Sequence, residues 1–125
     1  MKDLRPVFLD LFAIRLPLPG IVSILHRISG VLLFIASLYL LYLLATSFGG
    51  ETDFEKLRVD LESPLHSVLL WSVLSLLAYH VVAGVRHILM DLHIGESLRA
   101  GRVGSALVLV FSLALSVLCG VWMWL

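Results

Sequence analysis

The chain has 125 residues, of which 60% are hydrophobic and 14% charged, and its formal net charge is zero. A soluble domain carries about 25% charged residues, so the long apolar runs of this chain indicate an integral membrane protein. The neutral balance and the absence of any basic run in the sequence give no support to nucleic acid as a partner.

The first 22 residues form a polar, partly amphipathic lead that we expect to lie at the membrane surface. Charged residues are spread through its first fifteen positions and leave no apolar segment of the kind found in a cleavable signal peptide. They are Lys2, Asp3, Arg5, Asp10 and Arg15. Pro17, Pro19 and Gly20 are expected to interrupt any helix before the first long apolar run.

Three apolar runs follow, each long enough to cross a hydrocarbon core of about 30 Å as a helix rising 1.5 Å per residue. We place these spans at residues 23–47, 65–92 and 103–125. Gly49 and Gly50 end the first span, and Pro64 suits the first turn of the second. The polar connection at residues 51–63 is expected to hold at most one or two helical turns.

The predicted fold is all-α, since a membrane span must satisfy its backbone hydrogen bonds internally. We expect a single membrane domain over residues 1–125, with three transmembrane helices in a bundle that a partner subunit completes. The link at residues 95–102 is short and polar. The third span has no charged residue, and its Cys119 is interpreted as a packing residue because a single cysteine excludes an intrachain disulfide.

The distribution of Lys and Arg predicts the orientation in the membrane. Basic residues concentrate before the first span and around the second link, whereas the first link has only Lys56 and Arg58 among five acids. By the positive-inside rule the N-terminus and second link face the cytoplasm, and the C-terminus faces outward. Two polar clusters, at the start of the first span and the end of the second, therefore share one membrane face.

The cluster of the second span lies on one helix face. Positions four, seven and eleven residues after His80 fall on the same face of a helix. They are occupied by Gly84, His87 and Asp91. A neutral imidazole in the bilayer still needs partners for its nitrogens. A haem iron would take one nitrogen of His80, and Gly84 would leave room for the macrocycle. Alternatively, His80 is a core histidine hydrogen-bonded to a hydroxyl of a neighbouring helix, and Gly84 is a close-packing contact between helices.

Two neighbours of this cluster receive less specific interpretations. Tyr79 looks onto a different helix face from His80, and interhelical packing is its expected role. Arg86 and Asp91 are also compatible with ordinary charges where the helix leaves the membrane.

The cluster of the first span is contained in SILHRISG, residues 23–30. Ser23 and Arg27 are four residues apart and share a face, where a hydroxyl and a guanidinium can hold a polar head such as that of a quinone. Arg27 and His26 could equally pair with an anionic group such as a haem propionate. In a third interpretation Arg27 reaches lipid phosphates. Ser29 and Gly30 are assigned helix packing only.

Three segments carry a resemblance to a known family. They are RPVFLDL at residues 5–11, SILHRISG at residues 23–30 and HVVAGVRHILMD at residues 80–91. With them, the number and order of spans resemble the cytochrome b membrane-anchor subunit of succinate dehydrogenase, respiratory complex II, over nearly the whole length.

The resemblance implies specific roles for the polar residues. His80 would be an axial ligand of haem b, whose other ligand comes from a second anchor subunit. Ser23 and Arg27 would line the ubiquinone site near the iron–sulfur subunit. His26, with Arg27, would lie near the haem propionates, and His87 would contribute to the haem pocket.

The expected function is therefore an anchor that passes electrons from the iron–sulfur subunit to ubiquinone in the tricarboxylic acid cycle and respiratory chain. The flavoprotein subunit, the second anchor subunit and membrane lipid are the other expected partners, and the bacterial inner membrane is the expected location. A purely structural anchor without haem and an anchor of fumarate reductase are the alternatives. A transporter ranks last, since the third span is uncharged and no repeat is visible.

Overall fold

The computed structural model describes residues 15–125, and this part of the chain is helical with short connections. Its helices are α1 (Leu18–Ser47), α2 (Glu51–Leu61), α3 (Pro64–Asp91) and α4 (Leu98–Trp124). Helices α1, α3 and α4 contain 30, 28 and 27 residues and are long and apolar enough to cross a membrane. The predicted all-α fold with three spans is confirmed.

Helix α1 begins earlier than residue 23. Pro19 lies in its first turn, where a missing N–H costs nothing because that group would be unpaired anyway. The N–H of Gly20 donates to the carbonyl oxygen of Pro17 at 2.8 Å. The expectation that Pro19 and Gly20 interrupt the helix was therefore wrong. Residues 1–14 of the predicted surface lead lie outside the described residues.

The two links also contain more helix than the sequence suggested. Residues 51–61 form the 11-residue helix α2, whose Leu57 is buried. Helix α4 begins at Leu98 rather than at residue 103, because the Oγ of Ser97 accepts a hydrogen bond from the N–H of Ala100 at 3.2 Å and caps the first turn. The Ser97 cap thus makes the end of the second link the first turn of α4, whereas α2 begins at Glu51 without a side-chain cap.

Helix α3 packs against both α1 and α4 and occupies the centre of the bundle. Its Ala83 forms a small core with Val22 of α1 and Val108 of α4, all at most 3% exposed. The hydroxyl of Tyr79 donates to the carbonyl oxygen of Val22 at 2.8 Å. The packing role predicted for Tyr79 is thus confirmed, and this bond fixes α1 against α3 close to the polar clusters.

Polar contacts hold α3 to α4 further along the bundle. The indole N–H of Trp71 donates to the carbonyl oxygen of Ser116 at 3.0 Å, and the hydroxyls of Ser75 and Ser116 lie 2.7 Å apart. Interhelical hydrogen bonds of this kind contribute about 0.6 kcal/mol each in membrane proteins. They set the register of α4 on α3.

Much of the apolar surface of α1 is exposed. Within α1 only Val22 and Ser29 are buried, whereas Phe34 and Leu38 are 78% and 70% exposed. Lipid tails are as apolar as these side chains, so the exposure has no hydrophobic cost inside a bilayer. The same surface is available to a neighbouring transmembrane helix.

Candidate functional site

Three imidazole rings meet between α1 and α3. The ring of His26 stacks on that of His80 with centroids 4.2 Å apart and planes inclined by 16°, and on that of His87 at 4.9 Å and 20°. His80 and His87 lie two turns apart on α3, so His26 reaches across from α1 and fills the gap between them. The shared face of His80 and His87 is confirmed, whereas the sequence did not reveal that His26 inserts between them.

Two of these rings are held by hydrogen bonds at Nδ1. The Nδ1 of His80 lies 2.9 Å from the Oγ of Ser29, which in turn donates to the carbonyl oxygen of His26 at 2.8 Å. The Nδ1 of His87 lies 2.8 Å from the carbonyl oxygen of Ala83. A carbonyl oxygen can only accept, so Nδ1 of His87 carries the proton and its Nε2 keeps a lone pair. Ser29 was assigned packing only, and its bond to His80 was missed.

Two glycines make this close approach possible in a reciprocal arrangement. A Cβ atom added at Gly30 of α1 would lie 3.1 Å from Cε1 of His80, and one added at Gly84 of α3 would lie 3.4 Å from Nε2 of His26. Each helix therefore lacks a side chain at the point where it receives the other helix's histidine. Gly84 here accommodates the ring of His26, which is the close helix contact of the alternative interpretation, and its role in leaving room for a macrocycle stays a prediction.

The stacked rings border an open cleft of about 460 Å³ on the outer face of α1 and α3. It is lined by His26, His80, Val81, Gly84, Val85, His87 and Ile88. The Nε2 atom of His26 is buried and has no hydrogen-bond partner among residues 15–125. An unpaired buried nitrogen is costly.

Ser23 and Arg27 lie on α1 beside this cluster. Ser23 is half-buried and Arg27 is exposed. No ion pair between Arg27 and a carboxylate occurs within the described part of the chain.

Arg86 and Asp91 have different surroundings. Arg86 is only 9% exposed, and its Nη2 donates to the carbonyl oxygen of Gly101 at 3.3 Å. Its Nε lies 3.4 Å from the position that a Cβ of Gly104 would take, so Arg86 ties α3 to the start of α4. The interpretation as an ordinary exposed charge was wrong for Arg86. Asp91 is exposed, at the end of α3 and outside the cleft lining.

The imidazole cluster is not a metal centre built from protein ligands alone. No group of three or more His, Cys, Asp or Glu side chains in residues 15–125 is arranged to hold a metal ion.

Comparison with known proteins identifies the family. Residues 1–119 match the model of the "Succinate dehydrogenase/Fumarate reductase transmembrane subunit" family. The chain is also similar to the "Succinate dehydrogenase cytochrome b556 subunit" of Coxiella burnetii (strain RSA 493 / Nine Mile phase I). The two sequences are 38% identical over 125 residues, covering 99% of this chain and 100% of that protein. The chain belongs to the succinate dehydrogenase/fumarate reductase transmembrane subunit family.

Membership confirms the predicted role as a membrane-anchor subunit of succinate dehydrogenase, an oxidoreductase complex. It also agrees with the three long apolar helices of a multi-pass membrane protein.

Gly30→Ala is expected to strain the contact between α1 and α3 in the anchor. At 3.1 Å from Cε1 of His80, the new methyl group requires the ring or the helices to shift, and overpacking of this kind costs about 1–3 kcal/mol. Thermal unfolding of the purified complex should show a lower midpoint. Gly20→Ala is the matched control, because its nearest neighbour would lie at an ordinary 3.7 Å. Equal midpoints for the two variants would contradict the close fit.

Proposed function

We propose that this chain is the haem-ligating, quinone-binding anchor of a succinate dehydrogenase, which helps electrons pass from the iron–sulfur subunit to ubiquinone. One observation carries the proposal. His80 is held through Nδ1 by Ser29 inside an apolar span, which leaves Nε2 as its free ligating atom. The name of the similar Coxiella burnetii protein, a cytochrome b556 subunit, supports the haem assignment.

The residues of the cleft fit a haem b. Nε2 of His80 would be one axial ligand of the iron, and a second anchor subunit would supply the other. Gly84 and the apolar residues Val81, Val85 and Ile88 line the cleft and offer a surface for a flat macrocycle. When bound, the haem would supply a one-electron redox centre, whose potential the surrounding side chains tune.

His26, Arg27 and His87 would bind the polar edge of that group. His26 lines the cleft, and a haem propionate is an acceptor of the right charge for the adjacent Arg27. His87 borders the same cleft and keeps Nε2 available. Together these three side chains would hold the haem propionates near the membrane surface, where charge is least costly.

Ser23 and Arg27 would bind the quinone. The two residues lie one helical turn apart on α1, where Arg27 is exposed and Ser23 is half-buried. Hydrogen bonds from them to a quinone oxygen would orient the head and stabilise the negative charge that develops there on reduction. The apolar tail would remain in the lipid beside α1.

The flavoprotein, the iron–sulfur subunit and a second haem-ligating anchor subunit are the proposed partners. The proposed location is the bacterial inner membrane, with the N-terminus cytoplasmic and the C-terminus periplasmic. The distribution of Lys and Arg supports this orientation, and the exposed apolar side chains of α1 supply surface for the second anchor and for lipid.

Haem content of the complex tests the proposal directly. The complex purified through a tag on this chain should contain haem b in an amount equal to that of the chain, measured as its pyridine haemochrome. A complex that assembles and oxidises succinate yet contains no haem would reduce this chain to a structural anchor.

A fumarate reductase is the second candidate, because the matching family includes anchors of both enzymes. The rate of succinate oxidation by quinone and the rate of fumarate reduction by quinol, measured on the same preparation, distinguish a succinate dehydrogenase from a fumarate reductase.

A further inference from the structure

We infer that Ser29 is the positioning residue that fixes the tautomer and the ring orientation of His80. This inference rests on the proposed ligation of haem by His80 and deepens it. Ser29 is 2% exposed, and its hydroxyl lies between the two helices, 2.9 Å from Nδ1 of His80.

The hydrogen bonds of Ser29 decide where the imidazole proton lies. A serine hydroxyl has one proton to donate and lone pairs to accept with. Its proton is directed to the carbonyl oxygen of His26 at 2.8 Å, which can only accept. Towards His80 the hydroxyl therefore accepts, so the proton of the neutral imidazole is on Nδ1. The lone pair is then on Nε2, the atom that must bind iron.

The ring plane of His80 is fixed by three contacts at once. Ser29 holds Nδ1, the ring of His26 lies against one face with planes inclined by 16°, and Gly30 comes close to Cε1. Rotation about the last side-chain bond would break the hydrogen bond and move Nδ1 away from its acceptor. Ser29 and Gly30, adjacent on α1, thus act together on one ring of α3.

An acceptor on Nδ1–H also changes how strongly the imidazole donates to a metal. Partners of this kind raise the basicity of a ligating histidine, and their loss costs about 10- to 100-fold in metal affinity. A more basic ligand stabilises the more highly charged ferric state, so Ser29 should lower the reduction potential of a haem bound by His80.

The test is Ser29→Ala in the purified four-subunit complex. We expect the ferric/ferrous equilibrium to shift about tenfold towards the ferrous form, which raises the midpoint potential by about 59 mV for a one-electron couple. Redox titration of the haem absorbance measures this shift. Haem should also be lost more readily to apomyoglobin, an acceptor that reports affinity independently of enzyme activity.

Ser105→Ala is the matched control. Ser105 is also fully buried, but its hydroxyl donates to the carbonyl oxygen of Gly101 within α4 and makes no contact with a histidine. Its removal should leave the potential and the retention of haem unchanged. Equal shifts in the two variants would mean that any buried hydroxyl has this effect, and the inference would fail.

A second variant at the same position keeps the test valid if the Ser29→Ala complex does not assemble. Ser29→Cys keeps the size of the side chain and a weaker acceptor, so its potential should lie between those of the wild type and Ser29→Ala. A wild-type potential and wild-type haem retention in either variant would overturn the positioning role. That failure differs from failure of the proposed function, in which the wild-type complex itself has no haem or His80→Leu keeps it unchanged.

Discussion

His80→Leu is expected to abolish or strongly shift the b-type haem spectrum of the purified complex. Leucine is similar in size to histidine but has no lone pair, so the iron would lose the ligand from α3. The Oγ of Ser29 would lose the Nδ1–H donor of His80 at the same time. Reduced-minus-oxidised difference spectra, normalised to the amount of chain, measure the effect. The variant should still reach the membrane, since the length of α3 is unchanged and leucine is more hydrophobic than histidine.

His66→Leu is the matched control for this experiment. His66 lies on the same helix, and its Nδ1 also lies 2.9 Å from a serine hydroxyl, that of Ser63. It is outside the cleft, near the other end of α3. We expect a normal haem spectrum. An unchanged spectrum in His80→Leu would remove His80 as ligand, whereas loss in both variants would indicate a general packing defect.

The sequence was sufficient to predict the spans and one face of the site. Runs of apolar residues set the three spans, and the helical period placed His80, Gly84 and His87 along one face of α3, where the structure has them. Both features depend on a single helix, so periodicity alone determines them.

The contacts between helices could not be predicted in this way. Three contacts depend on how α1, α3 and α4 are rotated and aligned. They are the insertion of His26 between two histidines of α3, the hydrogen bond from His80 to Ser29 and the burial of Arg86. Helical period says which residues share a face, but not which residue of another helix meets them. A small residue such as Gly30 indicates that two helices pack closely there, but it does not indicate which side chain of the other helix lies against it.

The helix ends were a different kind of miss, because local signals were present. Ser97 is a good N-cap residue directly before α4, and α2 has Glu51 and Asp53 in its first turn and Arg58 in its last. These charges suit the helix dipole. A polar link can be either a loop or a solvent-exposed helix, so its polarity does not decide between them. The residues at the helix ends favour helix.

Arg27→Ala is expected to lower quinone reduction about 10²- to 10³-fold, the usual cost of removing one donor that stabilises developing negative charge. Succinate oxidation with an artificial acceptor should remain near the wild-type rate, since that electron path ends before the quinone. Both rates are measured on the same purified complex. Arg27→Lys should lie between, because lysine keeps the charge but lacks the planar arrangement of donors.

The two alternatives for Arg27 give different results in the same assays. If Arg27 only contacts lipid phosphates, both rates should match those of Arg58→Ala, in which an exposed arginine of α2 is removed. If it only holds a haem propionate, the haem potential should change while the apparent affinity for quinone stays constant. A quinone ligand should instead raise the KM for quinone or lower kcat at saturating quinone, with the haem spectrum retained. Equal loss of both succinate activities would show that the soluble subunits no longer dock, and would contradict a quinone role for Arg27.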